Sequence, residues 1–320
     1  MKKLAILLTL LLVSFASEAQ QRRSTKQKSQ REFSQSYWTV GVGIGIGNYF
    51  GDLAPREQYT SSNIAFTRPS FSFEVAKRLG PRSAVEFELG WVRLQGSDIE
   101  SADPKNIRHR YRYIRNASFR NDIFELSAMY SYELKRSLDM YYRRDTWRPY
   151  VFGGVAGFYH NPKTQVGGKW EALQPLGTEG QGLPDYKTKY SLVSIAIPFG
   201  LGIKYKLRDD MDLAFEVGYR YTFTDYLDDV SGNYADATLL SPLAKLIVFD
   251  RIADGGARDF KGATDDLGPL VNVPGGITVN GFGAKGDQRG NAKDKDIYIV
   301  TSVRLNYILG AGIRCPKFRR

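Results

Sequence analysis

From Tyr37 onward the chain alternates apolar residues with small or polar ones, segment after segment. A period of two sends successive side chains to opposite faces of a β-strand, so each segment reads as a strand with one greasy lane. The first runs from Tyr37 to Gly47: Trp38, Val40, Val42, Ile44 and Ile46 share one face, and Thr39, Gly41, Gly43, Gly45 and Gly47 share the other. Seven more follow, over Ser70–Lys77, Ser83–Gln95, Asp122–Leu134, Trp147–Tyr159, Ser191–Tyr205, Asp212–Phe223 and Asp296–Leu309. Most reach the roughly 9–11 residues that a tilted strand needs to cross a bilayer, and an even count suits a closed barrel.

The connections alternate in length. Asn48–Pro69, Gly96–Asn121, His160–Tyr190 and Thr224–Lys295 are long, whereas Arg78–Arg82, Lys135–Thr146 and Lys206–Met211 are shorter. Short turns at one end and long loops at the other mark an outer-membrane barrel. The expected fold is therefore all-β: an eight-stranded antiparallel transmembrane outer-membrane β-barrel with short periplasmic turns and long extracellular loops. A soluble lipocalin-type barrel also has eight alternating strands, but there the non-greasy lane meets water and is dense in Lys, Glu and Thr. Here that lane is mostly Gly, Ala and Ser, which suits the narrow lumen of an eight-stranded barrel. The greasy lane carries Trp38, Trp91, Tyr130, Tyr132, Tyr219, Tyr221 and Tyr307, several near strand ends, as interfacial girdles require.

Charges inside that lumen would be Glu74, Glu86, Glu88, Glu125, Glu133 and Glu216 facing Lys204, Arg220 and Arg304. Buried charges must be paired or they are costly. Two roles fit: an ion or proton path, or a salt-bridged plug that ties strands together. The plug is the expectation, because an eight-stranded interior leaves little room.

The N-terminus has the pattern of a cleavable secretory signal over residues 1–19: Lys2 and Lys3, an apolar run Leu4–Phe15, then Ser17 and Ala19. Residues 20–36 form a polar, basic periplasmic arm without an apolar period. The barrel spans 37–309 with its longest extracellular loop at 224–295, and 310–320 is a basic periplasmic tail. Export makes nucleic acid an unsuitable partner for the net charge of +11. The positive excess lies at the periplasmic end, in the arm, the short turns (Arg78, Arg82, Lys135, Arg143, Arg144, Arg148, Lys206, Arg208) and the tail. It serves either to anchor the barrel at lipid phosphates or to present a docking surface to an acidic partner.

Chemistry is sparse. One Cys and two His exclude a disulfide framework and an ordinary structural zinc site. His160 is a conceivable base but no nucleophile motif accompanies it, so no enzyme and no cofactor are expected. Asp225, Asp228 and Asp229 could gather Ca²⁺ or simply occupy a turn; no metal site is expected. Arg108–Arg115 in extended form would put Arg108, Arg110 and Arg112 on one face, either gripping lipopolysaccharide phosphates or solvated as a hairpin. Leu239–Ile252 has apolar residues at mixed helical spacing after Ser241-Pro242, the pattern of a short helix in the long loop. Cys315 is an unpaired exported cysteine.

Three segments carry a resemblance: Gly47-Asn48-Tyr49-Phe50-Gly51-Asp52-Leu53, Phe223-Thr224-Asp225-Tyr226-Leu227-Asp228-Asp229-Val230-Ser231, and Cys315-Pro316-Lys317-Phe318. With the signal and the eight-strand layout, they resemble the PorG-like outer-membrane β-barrel component of the type IX secretion system of Bacteroidetes-type bacteria, over nearly the whole mature chain. The resemblance implies contact with a periplasmic ring built by the PorK lipoprotein and PorN, a role in exporting proteins with C-terminal sorting domains, and in gliding bacteria a role in motility. The partner-binding residues expected on the periplasmic face are Arg143, Arg144, Arg208, Arg314, Cys315, Lys317, Phe318 and Arg319. Outer-membrane lipid and lipopolysaccharide are the other expected partners. The alternative is a generic small outer-membrane barrel that serves adhesion or envelope bracing through its extracellular loops.

Overall fold

The structure is a computed structural model. It describes residues 36–54, 66–102, 112, 115–135, 144–249, 270–273, 276–279 and 283–309. The signal expected over 1–19, most of the expected arm, Arg143 and the whole tail with Arg314, Cys315, Lys317, Phe318 and Arg319 lie outside the described residues.

In chain order the elements are β1 (Trp38–Phe50), β2 (Arg68–Arg78), β3 (Ser83–Ser97), α1 (Asp98–Ser101), β4 (Ser118–Glu133), β5 (Trp147–Tyr159), β6 (Lys163–Val166), β7 (Lys169–Ala172), β8 (Val193–Lys206), β9 (Met211–Thr222), α2 (Pro242–Phe249), β10 (Leu270–Val273), β11 (Gly276–Val279) and β12 (Ile297–Leu309). Eight of the strands form the wall. Each pairs antiparallel with its neighbour in the circuit β1, β2, β3, β4, β5, β8, β9, β12, and β12 returns to β1. The sheet is a closed barrel with no free edge among these strands, which satisfies every ladder in place of water.

The registers also fix the slant. Stepping straight across the ladder from Trp38 passes through Lys77, Val85, Tyr130, Gly153, Phe199, Tyr219 and Ile299. It re-enters β1 at Asn48, ten positions beyond Trp38. That stagger requires strands tilted by roughly 35–45° to the barrel axis.

Alternation now has a physical meaning. Val42, Ile44, Phe71, Phe87, Leu89, Leu126, Val155, Ile195, Leu201 and Leu305 are all exposed on the outer wall, many by about half. Between them Gly41, Gly43, Glu74, Glu86, Glu88, Glu125, Ser127 and Arg304 are buried. A folded chain that turns its greasy lane outward and its ionic lane inward is built for a lipid solvent. Aromatic residues gather toward the ends of the wall: Trp38, Trp147, Tyr130, Tyr132 and Tyr307 at the end with the short turns, and Phe71, Trp91, Phe124, Tyr159, Tyr219 and Tyr221 toward the other.

Glycine on the inner lane makes room for rings. A Cβ at Gly202 would stand 2.6 Å from Cζ of Tyr150, and one at Gly200 would stand 2.7 Å from Cζ of Phe152. Glycine there lets two rings from β5 lie flat across β8.

At the long-loop end β3 and β4 climb beyond the rest, still paired from Gln95↔Arg120 to Ser97↔Ser118. A second core sits there, under the loops: Leu53, Val92, Leu94, Phe119, Ile123, Phe158, Leu173, Leu227, Val230, Ile247 and Tyr298. The helix expected within Leu239–Ile252 is α2, and its Ile247 belongs to this core.

Candidate functional site: the ionic lumen and its cap

All nine lumen residues named from the sequence face inward, and they form a column of ion pairs. Nearest the short turns, Arg78 forks onto Glu133 with Nη1 and Nη2 donating at 2.8 and 2.9 Å. Arg148 bridges Glu133 at 2.9 Å and Asp212 at 2.5 Å, and Arg144 donates to Asp212 at 2.8 Å. Above them Lys204 meets Glu86 at 3.2 Å, and the Ser131 hydroxyl donates to the same oxygen at 2.6 Å. The Lys204 ammonium points into the lumen, as its place on the inner lane predicts. At mid-barrel Arg304 is ringed by Glu74, Glu216 and, at 3.3 Å, Glu88, and the Tyr150 hydroxyl donates to Glu216. Higher still Arg220 stands 3.6 Å from both Glu88 and Glu125, and the Tyr298 hydroxyl donates to Glu125. Forked arginine–carboxylate pairs of this kind hold side chains in fixed geometry as well as neutralising charge. A cavity of about 30 Å³ lies beside Glu88, Glu125, Glu216 and Arg220, room for about one water.

The column corrects the periplasmic assignment. Arg78, Arg144 and Arg148 are at most 7% exposed and spend their guanidinium groups inside the barrel. Arg144 caps the β8–β9 turn from within, donating to the carbonyls of Arg208 and Asp209 at 2.9 and 2.5 Å, so it presents no charge to a partner. The sequence could not separate an arginine beside a turn from one folded back beneath it. Arg208 does point out, exposed on that turn. Arg143 and the tail residues fall outside the described residues.

At the other end the loops are knitted into a cap. Asp98, at the start of α1, takes Arg115 at 2.7 and 2.8 Å and Arg112 at 3.3 Å. Arg115 also reaches the carbonyls of Asp52 and Arg289, so one guanidinium ties three connections. Arg289 in turn donates to Glu179 at 2.9 Å and to the Asp229 carbonyl at 2.6 Å. This changes the reading of the Arg108–Arg115 strip: Arg112 and Arg115 are helical and buried on Asp98, and so are unavailable to lipid phosphates. Arg108 and Arg110 lie outside the described residues.

In the acidic turn, Asp228 and Asp229 are taken up by hydrogen bonds, while Asp225 Oδ2 is buried without a hydrogen-bond partner. Asp229 accepts from Thr178 and Tyr190 at 2.5 and 2.8 Å, and burial, offset in part by Arg289, holds its carboxyl at about 6. Asp228 Oδ2 accepts from Tyr49 at 2.6 Å, while its Oδ1 accepts from Val230 N–H at 2.9 Å. Asp296 lies 2.9 Å from the same Tyr49 hydroxyl and accepts from Leu227 N–H. Among the described residues no grouping of three or more His, Cys, Asp or Glu side chains is arranged to hold a metal.

His160 is no better placed as a base. Its ring is fully buried beside Phe158 and Tyr190, and Nε2 lies 3.1 Å from the Ser191 carbonyl. Burial pushes its pKa down to about 4, and its Nδ1 has no hydrogen-bond partner. It packs as a neutral aromatic ring.

Residues 28–241 match the family described as "Domain of unknown function (DUF6089)", about two thirds of the chain. The chain belongs to that family. The match takes in β1 to β9 and the first part of the cap, and ends just before α2. Comparison with curated proteins finds no match. Solved structures similar to this DUF6089 chain include Neisserial surface protein A, at 10% identity over 84% of this chain and 96% of that one, with a TM-score of 0.37. OprG from Pseudomonas aeruginosa is similar at 9% identity over 87% and 97%, with a TM-score of 0.38. Ail of Yersinia pestis is similar at 5% identity over 86% and 99%, with a TM-score of 0.36.

Proposed function

We propose that this DUF6089 chain is a sealed, non-enzymatic outer-membrane barrel that anchors or positions the periplasmic lipoprotein ring (PorK/PorN-type) of the type IX secretion system. The observation that carries the first half is the unbroken column of buried ion pairs from Arg78–Glu133 to Arg220–Glu125, roofed by a cap with its own apolar core. A lumen filled from end to end leaves the two rims and the outer wall as working surfaces.

The second half rests on the resemblance to PorG-like barrels. Two of the three segments that carry it meet in space: Tyr49 from 47–53 hydrogen-bonds Asp228 from 223–231, and Leu53, Leu227 and Val230 share one core. Motifs far apart in sequence that close one structural joint are what a common architecture requires, and this supports the reading. At the short-turn rim, where β12 ends at Leu309, Arg82, Lys135 and Arg208 add positive charge, a surface suited to an acidic protein.

The test is a pull-down from detergent-solubilised membranes. Full-length protein is expected to bring down the ring lipoprotein and ring protein, and deletion of 310–320 is expected to release them while the barrel stays inserted. Ring components that co-purify equally with and without the tail would remove the tail from the reading, and their absence from both samples would remove the secretion role. The cap favours a second reading, adhesion or bracing at the cell surface, because an ordered roof is a recognition face. That reading expects loss of surface binding on substitution in the cap and no ring partner.

A further inference from the structure

The outer wall carries one region where chemistry and shape change together. On β5 the outward lane runs Val155, Gly157, Tyr159, so a glycine stands where its neighbours have bulk. A Cβ built at Gly157 meets nothing within 4 Å. Around that gap lies a groove of about 670 Å³, walled by Phe71, Trp91, Phe124, Leu126 and Tyr159. Its lining is mostly apolar and aromatic, with Ser72 and Glu125 the polar members, and Phe71 and Trp91 stack across β2 and β3 at 5.6 Å.

Directly above the aromatic edge of this groove, toward the capped end, the outward lane becomes basic. Arg93 follows Trp91 on β3 and lies over its indole at 5.3 Å. Arg120 stands two steps above Asp122 on β4, its guanidinium 3.9 Å over the Trp170 ring of the β6–β7 hairpin. Lys163 pairs with Arg120 in the ladder, and Arg68 reaches Gln95 at 2.7 Å beside them. Among the described residues one carboxylate answers these four cations: Asp122 accepts from Arg93 Nε and Nη2 at 2.7 and 3.3 Å and stands 3.8 Å from Arg120. The Nε–H of Arg120 is buried without a hydrogen-bond acceptor. Both arginine side chains keep about a quarter to a third of their surface open.

An apolar furrow below, an aromatic sill, and surplus guanidinium groups above form a two-part receptor. Guanidinium groups match phosphate oxygens in planar, bidentate fashion, and the aromatic sill sits where headgroup meets acyl chain. We propose that this face, from β2 to β5, is a binding site for a phosphorylated lipid of the outer leaflet, with its phosphate on Arg93 and Arg120 and an acyl chain in the groove over Gly157. The proposal rests on the reading of the chain as an outer-membrane barrel. The Arg-rich strip 108–115 plays no part in it, since Arg112 and Arg115 are turned inward.

The test is native mass spectrometry of the full mature chain, refolded and released from detergent micelles after titration with bis-phosphorylated lipid A, with its dephosphorylated form, and with inorganic phosphate. Folding is checked first by heat-modifiable gel migration. The phosphorylated lipid is expected to be retained at least tenfold more tightly than the dephosphorylated one, with inorganic phosphate failing to compete. Arg93→Gln/Arg120→Gln is expected to erase that preference. Gly157→Leu is expected to weaken both lipids alike by filling the groove. Equal retention of the two lipids by the wild-type barrel overturns the proposal without any variant. Competition by free phosphate overturns the acyl-chain part of it. A chain that fails to insert at all strikes at the barrel reading instead, so the two failures are distinguishable.

Discussion

Tyr49 has one hydroxyl proton and two carboxyl groups within reach, Asp228 at 2.6 Å and Asp296 at 2.9 Å. It can donate to only one of them. The second contact is a hydrogen bond only if that carboxyl carries a proton and donates to the tyrosine oxygen. Neither aspartate has an ion-pair partner among the described residues. Burial, and then the charges of Asp296 and Asp52, push Asp228 well above the usual carboxylate range, and burial with Asp225 and Asp52 does the same to Asp296. A carboxyl raised in the folded state adds stability that is complete below its unfolded value of about 3.9 and is lost as pH climbs through its folded value. Asp225 and Asp229, both held at about 6 chiefly by burial, open that window. The Asp228–Asp296 pair extends it upward. Amide protection factors over 225–231, from hydrogen exchange corrected for intrinsic rate, are therefore expected to fall as pH rises from 5 to 9. Asp228→Asn is expected to remove the upper part of that fall, and a flat wild-type profile would refute the shared proton. Arg304 poses the opposite problem, a single cation among three glutamates. Arg304→Ala strands buried carboxylates and is expected to cost about 3–5 kcal/mol, whereas Arg93→Ala on the open wall is expected to cost about 0–1 kcal/mol. Urea titration of the folded band on unheated gels measures both.

For a single strand, the difference between the two lanes decides what a substitution does. Gly202→Val drives a branched side chain into Tyr150 and is expected to cost about 1–3 kcal/mol, while Gly157→Val points into open space on the outside and is expected to leave the urea midpoint unchanged. Both replace glycine by a strand-favouring residue, so propensity alone predicts two gains; a loss at Gly202 isolates packing. The same lanes made the strands legible. Trp147–Tyr159 agrees with the sequence reading to the residue, and Ser83, Trp147 and Leu309 are shared endpoints. The miss at β4, which begins at Ser118 rather than Asp122, has a physical cause. Above the membrane its outer lane turns to Arg120 and Asp122, so the greasy alternation stops although the ladder continues. The β6–β7 hairpin escaped notice because its four-residue arms carry no greasy lane. Its turn was readable nonetheless. Gly167 and Gly168 both adopt positive φ, 54° and 80°, the requirement of a tight two-residue hairpin turn.

Across the whole molecule, three closures stand in series along one axis: the Arg78–Glu133–Arg148–Asp212–Arg144 group at the short-turn end, the Arg304 and Tyr150 waist, and the cap. Lane periodicity announced the charged residues of the waist, and Glu133 at the short-turn end, since each lies on the inner face of a strand; it left Arg78, Arg144 and Arg148 among the periplasmic charges. It could not say which carboxylate each arginine takes, because pairs such as Arg78–Glu133 and Arg148–Asp212 join strands remote in sequence. The cap was almost invisible in the sequence. Leu53, Leu173, Leu227 and Val230 come from three different loops, and an isolated leucine in a polar loop carries no period. Closures in series behave as resistances in series, so current is set by the tightest. Raising the pH to 9 is expected to loosen the cap, where Asp225, Asp228, Asp229 and Asp296 have raised values, while the forked Arg78–Glu133 and Arg144–Asp212 pairs still close the short-turn end. Purified full-length protein in planar bilayers is therefore expected to show no steady single-channel steps at pH 5 or at pH 9. Steps confined to pH 9 would assign the seal to the cap alone and leave the ionic column permeable; steps at both would turn the column from a plug into a path.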